Sequence, residues 1–568
     1  MAAELSPQDH LRRITGLERD ASNFRNIWTE LQQYVAPWRD PVNNQTSRGQ
    51  KQTDRIFDST ASNLSVLAAS AVHGLTMPAG TKWFSVAHPD PKTNEIVPVG
   101  RWLEGTQLKI NAAFDQSNLA QESQELITDL LIFGTGCMYW ELQPPSALKA
   151  FPGLRFRTMP PGSYVIAENA DGLVDTVYRK FILSAEAIQR RWGADSGQEV
   201  MKKLAANQPD ARFTIVHGVW PRDPRSVTPG NDLRIPVGRR PYAEIWMVAG
   251  ESTQSGVGAL PAQTPSNNAH VLSKDGRFEF PFLVPRWRKM SGETYGRSPG
   301  IDALPDIRTL NKAVELRLKA WSLAIAPPMA VSDRGVIGEV RLVPFGRINT
   351  RGNPREAFET LDIGANFNVA NFQEEQLRDQ IRRSFFVDQL QAHASQGLSP
   401  KSATEVSISF ELMMRILGPV ASRLSVELLA PLIRGTFKMM QRTGGLEEPP
   451  GEVLIDGDIA VVYQGPLARA QSIQEVDAIT RLLQVVLPIA ESHPEVMAWY
   501  DFSEMGKVIG EAVSVPKSVM KTRKQVEQEQ AAQQEAAGAQ QEQSDLLGSA
   551  EILNKIAPAA IAGQRAQG

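Results

Sequence analysis

The chain has 568 residues, which at roughly 150 residues per domain makes three to four structural units. Sixty Lys and Arg against sixty-three Asp and Glu leave a formal charge of −3, which excludes the strongly basic balance of a protein that binds nucleic acid over its whole surface. A single cysteine, Cys137, excludes both a disulfide framework and a cysteine zinc cluster, so packing must carry the fold.

Membrane and export signals are not expected. Met1 to Arg13 carries Glu4, Asp9, Arg12 and Arg13 with no apolar core, so it does not read as a signal peptide. The apolar stretches Leu130 to Trp140 and Ala320 to Ser332 fall short of the ~18 residues a span needs, and the second contains Pro327 and Pro328.

In chain order, Leu11, Ile14, Ala21, Phe24, Trp28, Leu31 and Val35 recur at helical spacing and predict one long amphipathic helix, started by Ser6-Pro7 and stopped before Pro37. Asp58-Ser-Thr predicts a cap for a helix running to about His73, with Gly74 and Pro78 ending it. Helices are expected at about Pro98 to Asp115 and Ala120 to Phe133. Gly134-Thr-Gly136 then turns the chain into the apolar run Cys137 to Leu142. From about Phe151 to Trp287, short alternating runs separated by Pro/Gly clusters predict strands, interrupted by one helix, Ser184 to Trp192, with Ser184 as its cap.

Helix returns at Ile301. Leu304, Ile307, Asn311, Val314, Leu318, Trp321 and Ile325 step by three or four up to Pro327-Pro328, a rod of about 37 Å. A Gly/Pro/Arg-rich insertion with strand-like pieces spans Val331 to about Phe372, and a second helix, Glu374 to Leu390, carries Leu377, Ile381, Phe385 and Leu390 on one side. After the polar stretch Gln391 to Lys401, Ser402-Ala-Thr-Glu405 has capping-box spacing and predicts a third long helix. Pro419 and Pro431 lie inside it, and each removes an amide donor, so it should bend or break twice before Gly444-Gly445 closes it. A hairpin-like stretch at Asp456-Gly457-Asp458 leads into Ala460 to Tyr463, and helical segments follow at Arg469 to Ile489 and about Ser503 to Val513. Gln525 to Gln543 holds eight glutamines and five alanines, a composition for exposed helix or disorder rather than a core. No internal repeat is present.

Catalytic signatures are missing. There is no G-x-x-x-x-G-K-[ST] cradle for phosphates, Gly397 to Ser402 lacks its second glycine, and Gly134-Thr-Gly136 lacks the third glycine of a dinucleotide fingerprint. No two of the seven histidines stand at i,i+4, and no G-x-S-x-G elbow occurs. Asp456 and Asp458 are the carboxylate pair a divalent-metal nuclease or processing enzyme would need, but Asp-Gly between apolar runs is a hairpin signal. Cys137, in an apolar context, reads as a buried thiol. The composition therefore points to a non-enzyme without metal or cofactor. Local charge is more informative than total charge: Ser332 to Arg355 holds five arginines against two acids, and Arg212 to Pro241 six against two. Both segments suit phosphate or acidic partners as well as plain solvation.

Several stretches together resemble the portal protein, or head-to-tail connector, of short-tailed bacteriophages. They are Asp54-Arg-Ile-Phe-Asp58-Ser-Thr-Ala61; Leu75-Thr-Met-Pro78 with Lys82-Trp83-Phe84; Tyr295-Gly-Arg-Ser-Pro299 with Leu304-Pro-Asp-Ile-Arg-Thr-Leu-Asn311; Ser402-Ala-Thr-Glu-Val406; and Tyr463-Gln-Gly-Pro-Leu-Ala-Arg-Ala-Gln471. The likeness covers roughly residues 1 to 515.

The resemblance implies an α+β, mainly helical portal fold with wing, stem, clip and crown regions, assembled as a ring of twelve. By order, residues 1–300 look like the wing, β-rich from about 151. Residues 301–326 and 373–392 look like the stem helices, 327–372 like the clip, and 393–442 like a channel loop with the kinked helix. Residues 443–515 look like wing strands and crown helices, and 516–568 like a C-terminal helix, barrel or disordered tail. The implied DNA-facing loop residues are His393, Ser395, Gln396, Ser399 and Lys401. Arg378, Arg382 and Arg383 would line the stem, and Arg334, Arg341, Arg347 and Arg351 would form the clip surface for the packaging motor or tail adaptor. Implied partners are further copies of the chain, double-stranded DNA, major capsid and scaffolding proteins, terminase, tail adaptor or nozzle proteins and internal core proteins. The implied location is the portal vertex of the virion, with the host cytoplasm during assembly. Rival readings are the nuclease above and another phage structural component, such as a tail adaptor or internal core protein.

Overall fold

The computed structural model describes residues 5–39, 42, 53–78, 82–94, 96–144, 151–251, 269–325, 329–331, 336–337, 349–350, 358–360, 367–388, 418–450 and 459–463. Beyond these it describes 476, 478–486, 488, 499–500, 502, 505–506 and 509–510. The chain mixes helix and sheet and divides into two units. One comprises Met1–Trp83 with Lys109–Leu446, the other Phe84–Leu108 with Glu447–Gly568.

In the larger unit the opening stripe is two helices rather than one, α1 (Pro7–Asp20) and α2 (Ser22–Tyr34), broken at the fully buried Ala21. Ser6 and Asp9 form a capping box at the start of α1. Leu11 and Ile14 of α1 pack in one core cluster with Val165, Tyr178, Val216 and Ile245, whereas Trp28 and Leu31 of α2 are buried elsewhere in the unit. Ala21 stays near helical geometry at φ −79 and ψ −8, its amide donating to the Leu17 carbonyl and its carbonyl accepting from the Arg25 amide, so a single residue separates the two helices. Helix α3 (Thr60–Thr76) passes Gly74 and ends at Met77, and it packs on a later helix, α6 (Leu119–Phe133). Gly134 caps α6 at φ +86 and turns the chain into strand β2 (Met138–Leu142).

Strand β2 lies between β3 (Leu154–Thr158) and β9 (Phe282–Leu283). A five-stranded antiparallel sheet runs in simple sequence order: β4 (Tyr164–Glu168), β5 (Val174–Ser184), β6 (Arg212–Pro221), β7 (Tyr242–Glu251) and β8 (His270–Arg277). Two short helices interrupt it instead of one, α7 (Ala185–Trp192) and α8 (Gln198–Ala205), and Ser184 caps α7 by accepting from the Ala187 amide. Ala185, Ile188 and Val200 of these helices pack on Phe213, Ile215 and Trp246 of the sheet.

A chain of buried polar groups crosses β5, β6 and β7. Arg179 donates through Nε to His217 Nδ1 at 2.8 Å, and His217 Nε2 stands 2.8 Å from Glu244, which also accepts from Arg277. Because a guanidinium only donates, Nδ1 must accept, so the ring proton sits on Nε2 and points at Glu244. Burial, followed by the charge of Arg179, pushes His217 down to about 3 and keeps it neutral. Cys137 is buried and its thiol is pushed far up by burial.

Two long helices follow, α9 (Pro299–Ile325) and α10 (Phe367–Ser384), packed along each other. The second starts earlier than the sequence predicts, at Phe367 rather than Glu374, and is interrupted by a turn at Phe385–Phe386, where Phe386 adopts φ +57, before helix resumes at Val387. That turn buries both Phe385 and Val387, which a continuing helix would place on different faces. Short strand pairs lie between the two helices: Met329–Val331 with Phe358–Thr360, and Val336–Ile337 with Asn349–Thr350. Residues 418–442 are helical, ending in α11 (Ala430–Arg442), and Gly444 at φ +73 closes them.

In the smaller unit, Phe84–Ala87 pairs antiparallel with Ala460–Tyr463. Phe84–Ala87 is strand β1, and helices α4 (Pro91–Asn94) and α5 (Val97–Asp115) follow it in the chain. The strand at Ala460 thus finds its partner nearly four hundred residues upstream. The Asp456-Gly457-Asp458 turn and the Gln/Ala-rich segment lie outside the described residues.

Candidate functional site: the anchored helix pair

Helices α9 and α10 run antiparallel. Asn311 lies level with Arg378 through their shared neighbour Asp58, and Arg317 contacts Asn371 and Glu374. Leu304, Ile307, Leu310 and Val314 of α9 and Ile381 of α10 are buried, so this end of the pair belongs to the core.

Asn311, at one of the helical-stripe positions, is not a packing residue. Its Oδ1 accepts from the Phe57 amide at 2.7 Å and the Asp58 amide at 3.4 Å, and its Nδ2 donates to the Arg55 carbonyl at 2.8 Å. One side-chain amide thus supplies the backbone partners that the irregular segment ahead of α3 cannot find in secondary structure. Asp58 then accepts from the Thr60 amide at 2.9 Å and from Arg378 of α10 at 2.9 Å. Burial would raise the Asp58 carboxyl, but the hydrogen bonds from Thr60 and Arg378 outweigh it and hold it below its ordinary value. Glu374, fully buried, lies between Arg317 at 3.1 Å and Arg378 at 3.4 Å.

Just before α9, two glycine turns cross. A Cβ on Gly134 would stand 2.2 Å from the Gly296 carbonyl oxygen, and one on Gly296 would stand 2.2 Å from that of Gly134. Only glycine permits this approach at both positions. Thr135 Oγ1 accepts from the Gly296 amide, Ser298 Oγ donates to the Ile132 carbonyl, and the buried Tyr295 packs edge-on to Trp28.

The kinked helix has its own anchor. Pro431 has no amide to donate to the Glu427 carbonyl, and the turn ahead of it, Ser425–Leu429, widens to π geometry. The widened turn presents Glu427 to Arg286, a fully buried residue whose guanidinium also reaches Glu168 and the Thr294 and Gly172 carbonyls. Arg423 joins Glu427 from one turn earlier at 3.1 Å. Pro431 therefore distorts the helix as expected, while Pro419 is exposed within the helical stretch 418–424.

Three of the sequence stretches singled out above meet distant partners. Asp54 to Ala61 meets Leu304 to Asn311 through Asn311, and Lys82-Trp83-Phe84 meets the stretch beginning at Tyr463 through the strand register Phe84 to Tyr463. Tyr295 to Pro299 meets Gly134-Thr-Gly136. A model of the family described as "Bacteriophage head to tail connecting protein" matches residues 8–520. The chain belongs to this family. The portal protein of Salmonella phage epsilon15 is 25% identical to it over 558 residues, covering 94% of this chain and 93% of the relative. The probable portal protein of Bordetella phage BPP-1 is 27% identical over 554 residues, 94% of each chain. The portal protein of Escherichia phage T7 is 27% identical over 190 residues, 32% of this chain and 35% of its own. The chain is thus a podovirus-type head-to-tail connector, a structural designation rather than a catalytic one. The family match ends at residue 520, close to the 1 to 515 of the resemblance, while the epsilon15 and BPP-1 relatives align over more of the chain than that.

On this connector the predicted stem arginines have distinct surroundings. Arg378 is held by Asp58, Glu374 and Glu375, and Arg382 by Asp379 at 2.7 Å. Arg383 is exposed. The loop residues His393, Ser395, Gln396, Ser399 and Lys401, the clip residues Arg334, Arg341, Arg347 and Arg351, and the carboxylates Asp456 and Asp458 lie outside the described residues. Among the described residues no cluster of three His, Cys, Asp or Glu could hold a metal, and no helix is long and apolar enough to cross a membrane. Asn311, Glu374, Arg286 and Glu427 were not legible as anchors, because the partners that tie them to other elements, Arg55 for Asn311, Arg317 for Glu374, and Arg286 and Glu427 for each other, lie tens to hundreds of residues away. The nearest sequence signal is an asparagine on an otherwise apolar helical stripe.

Proposed function

We propose that the chain is one subunit of a twelve-membered ring at one vertex of the capsid, whose central channel carries double-stranded DNA during packaging, retention and ejection. In this reading residues 301–326 and 373–392 are the stem helices, residues 327–372 the clip that docks terminase and then tail adaptor proteins, and 393–442 the channel loop with its kinked support. Residues 1–300 form the wing, 443–515 wing strands and crown helices facing the capsid interior.

The observation that carries it is the far end of the helix pair. Leu316, Leu318, Trp321, Leu323 and Ile325 of α9 and Phe372 of α10 are exposed, Ile325 at 84% and Phe372 at 65%. A single subunit leaves this apolar cluster in water, whereas copies placed side by side by rotation cover it with repeated head-to-tail contacts that close a ring. The carboxylates on Arg378 and Arg382 support a conduit rather than a clamp, because each cation already neutralised inside the protein is one fewer counterion-releasing contact to a sliding duplex. With no phosphate cradle in the sequence, the ring is a gate, and nucleotide hydrolysis belongs to the docked terminase.

Native mass of the assembled particle tests this. Twelve copies of a 62.5 kDa chain give 750 kDa. A species that stays strictly monomeric under assembly conditions, or a ring preparation that hydrolyses ATP by itself, overturns the reading.

A further inference from the structure

Strands β6 and β7 are joined by an excursion, residues 222–241, that is built as a fixed lobe. Its base is closed by the Arg222 amide donating to the Pro241 carbonyl at 2.9 Å, and its middle by the Thr228 amide donating to the Arg239 carbonyl at 2.9 Å. Ile235 is buried beneath it. Arg240 turns inward, donating to the Ile235 and Gly276 carbonyls and lying 4.7 Å from the Phe278 ring centre. Asn231 ties the lobe to α11, donating to the Lys438 carbonyl and accepting from Arg442.

The lobe carries Arg222, Arg225, Arg234, Arg239 and Arg240 against Asp223 and Asp232, a net charge of +3. Neither acid neutralises a guanidinium. Asp223 accepts from the Arg225 backbone amide at 3.0 Å, and Asp232 from that of Arg234 at 2.9 Å. Arg222 and Arg240 are committed to backbone carbonyls. Arg225, Arg234 and Arg239 remain exposed, with no side-chain hydrogen bond or ion pair among the described residues.

We infer that this lobe is a sequence-independent contact surface for the phosphate backbone of double-stranded nucleic acid, lying on the β-rich region rather than on the helix pair. Guanidinium forks match phosphate oxygens in pairs. The only large apolar side chains exposed here, Leu233 and Val237, are too few for the apolar centre of a protein–protein interface. The inference goes beyond the channel reading and needs no ring, because each copy carries the whole lobe.

The test is equilibrium binding of a short mixed-sequence DNA duplex to the purified full chain across a salt series, with a polyglutamate peptide as the competing polyanion. For Arg225→Ala/Arg234→Ala/Arg239→Ala, duplex affinity at low salt should fall by about tenfold or more, and the slope of log affinity against log salt should become shallower by up to about 2.7, at about 0.9 for each phosphate no longer neutralised. The corresponding triple Gln variant keeps side-chain bulk and should show the same loss, with the thermal melt of both variants matching the parent. Unchanged duplex affinity and slope overturn the inference. So does a loss seen with polyglutamate alone, which assigns the lobe to an acidic protein. Particle mass measured on the same samples separates this outcome from the ring reading, since a monomer that binds duplex through the lobe sinks the ring and leaves the lobe standing.

Discussion

At one end of the α9–α10 pair, Asn311, Asp58, Arg378, Arg317 and Glu374 bond the helices to one another and to the segment ahead of α3. From Leu316 outward, the same two helices expose apolar side chains to solvent. Both ends have helical periodicity, and the outer end is the richer in hydrophobic residues, yet it is the end whose apolar side chains are exposed. The difference lies in what faces them. The inner end is held by polar partners within one chain, although Arg317 Nε and Glu374 Oε1 form an ion pair without a hydrogen bond, while the outer end leaves apolar side chains exposed to water. On the proposed reading, the exposed tip is the part that meets further copies of the chain.

The largest expected effect breaks the rooted end. Gly134→Ala drives a Cβ into the Gly296 backbone at a φ of +86, so a loss of roughly 4 kcal/mol or more and little soluble protein are expected, read by soluble yield and thermal melting. Asn311→Leu keeps volume but strands two amides and one carbonyl, and should cost about 3 kcal/mol in a denaturant titration. A smaller loss would mean that water replaces the side chain there.

Arg378→Met should cost about 1 kcal/mol, since the ion pair with Asp58 is partly screened. Its pH signature is more diagnostic than its size. The Asp58 carboxyl is held below its ordinary value in the folded state, so its contribution is complete above the unfolded value near 4 and is lost as the pH falls through the folded one. Between about pH 4 and lower pH the parent should therefore lose stability faster than the variant, as followed by acid titration of the melting temperature.

The smallest effect on the single chain belongs to the tip. Leu323→Ser with Ile325→Ser removes side chains that already face water, so the melt of the isolated subunit should move by no more than roughly 0.5 kcal/mol, while recovery of large assemblies should collapse. Equal losses in both measurements would erase the contrast between root and tip.

Much of the architecture was legible along the chain. The α9 stripe, the Ser184 cap, the Gly134 turn and the distortion at Pro431 each rest on neighbours within a few residues, and each appears where local chemistry puts it. The break at Ala21 and the turn at Phe385–Phe386 were not legible, because the apolar spacing continues through both. The anchors were hidden more completely. Arg286 and Glu427 are 141 residues apart, and Asp58 and Arg378 are 320 apart. Nothing in the local sequence of any of the four marks it for the other.

The sequence by itself determined helix and strand type, the turns that require glycine, the proline distortion and the absence of a phosphate cradle, because these depend on backbone geometry and residues a few positions apart. Tertiary structure alone decided which charges are committed. Arg378 is bound to Asp58 while Arg225, Arg234 and Arg239 are free among the described residues, although all four are arginines in charged, polar surroundings along the chain. A formal charge of −3 says nothing of that division, since Coulomb interactions act through space over a few ångströms and depend on which groups folding brings within reach.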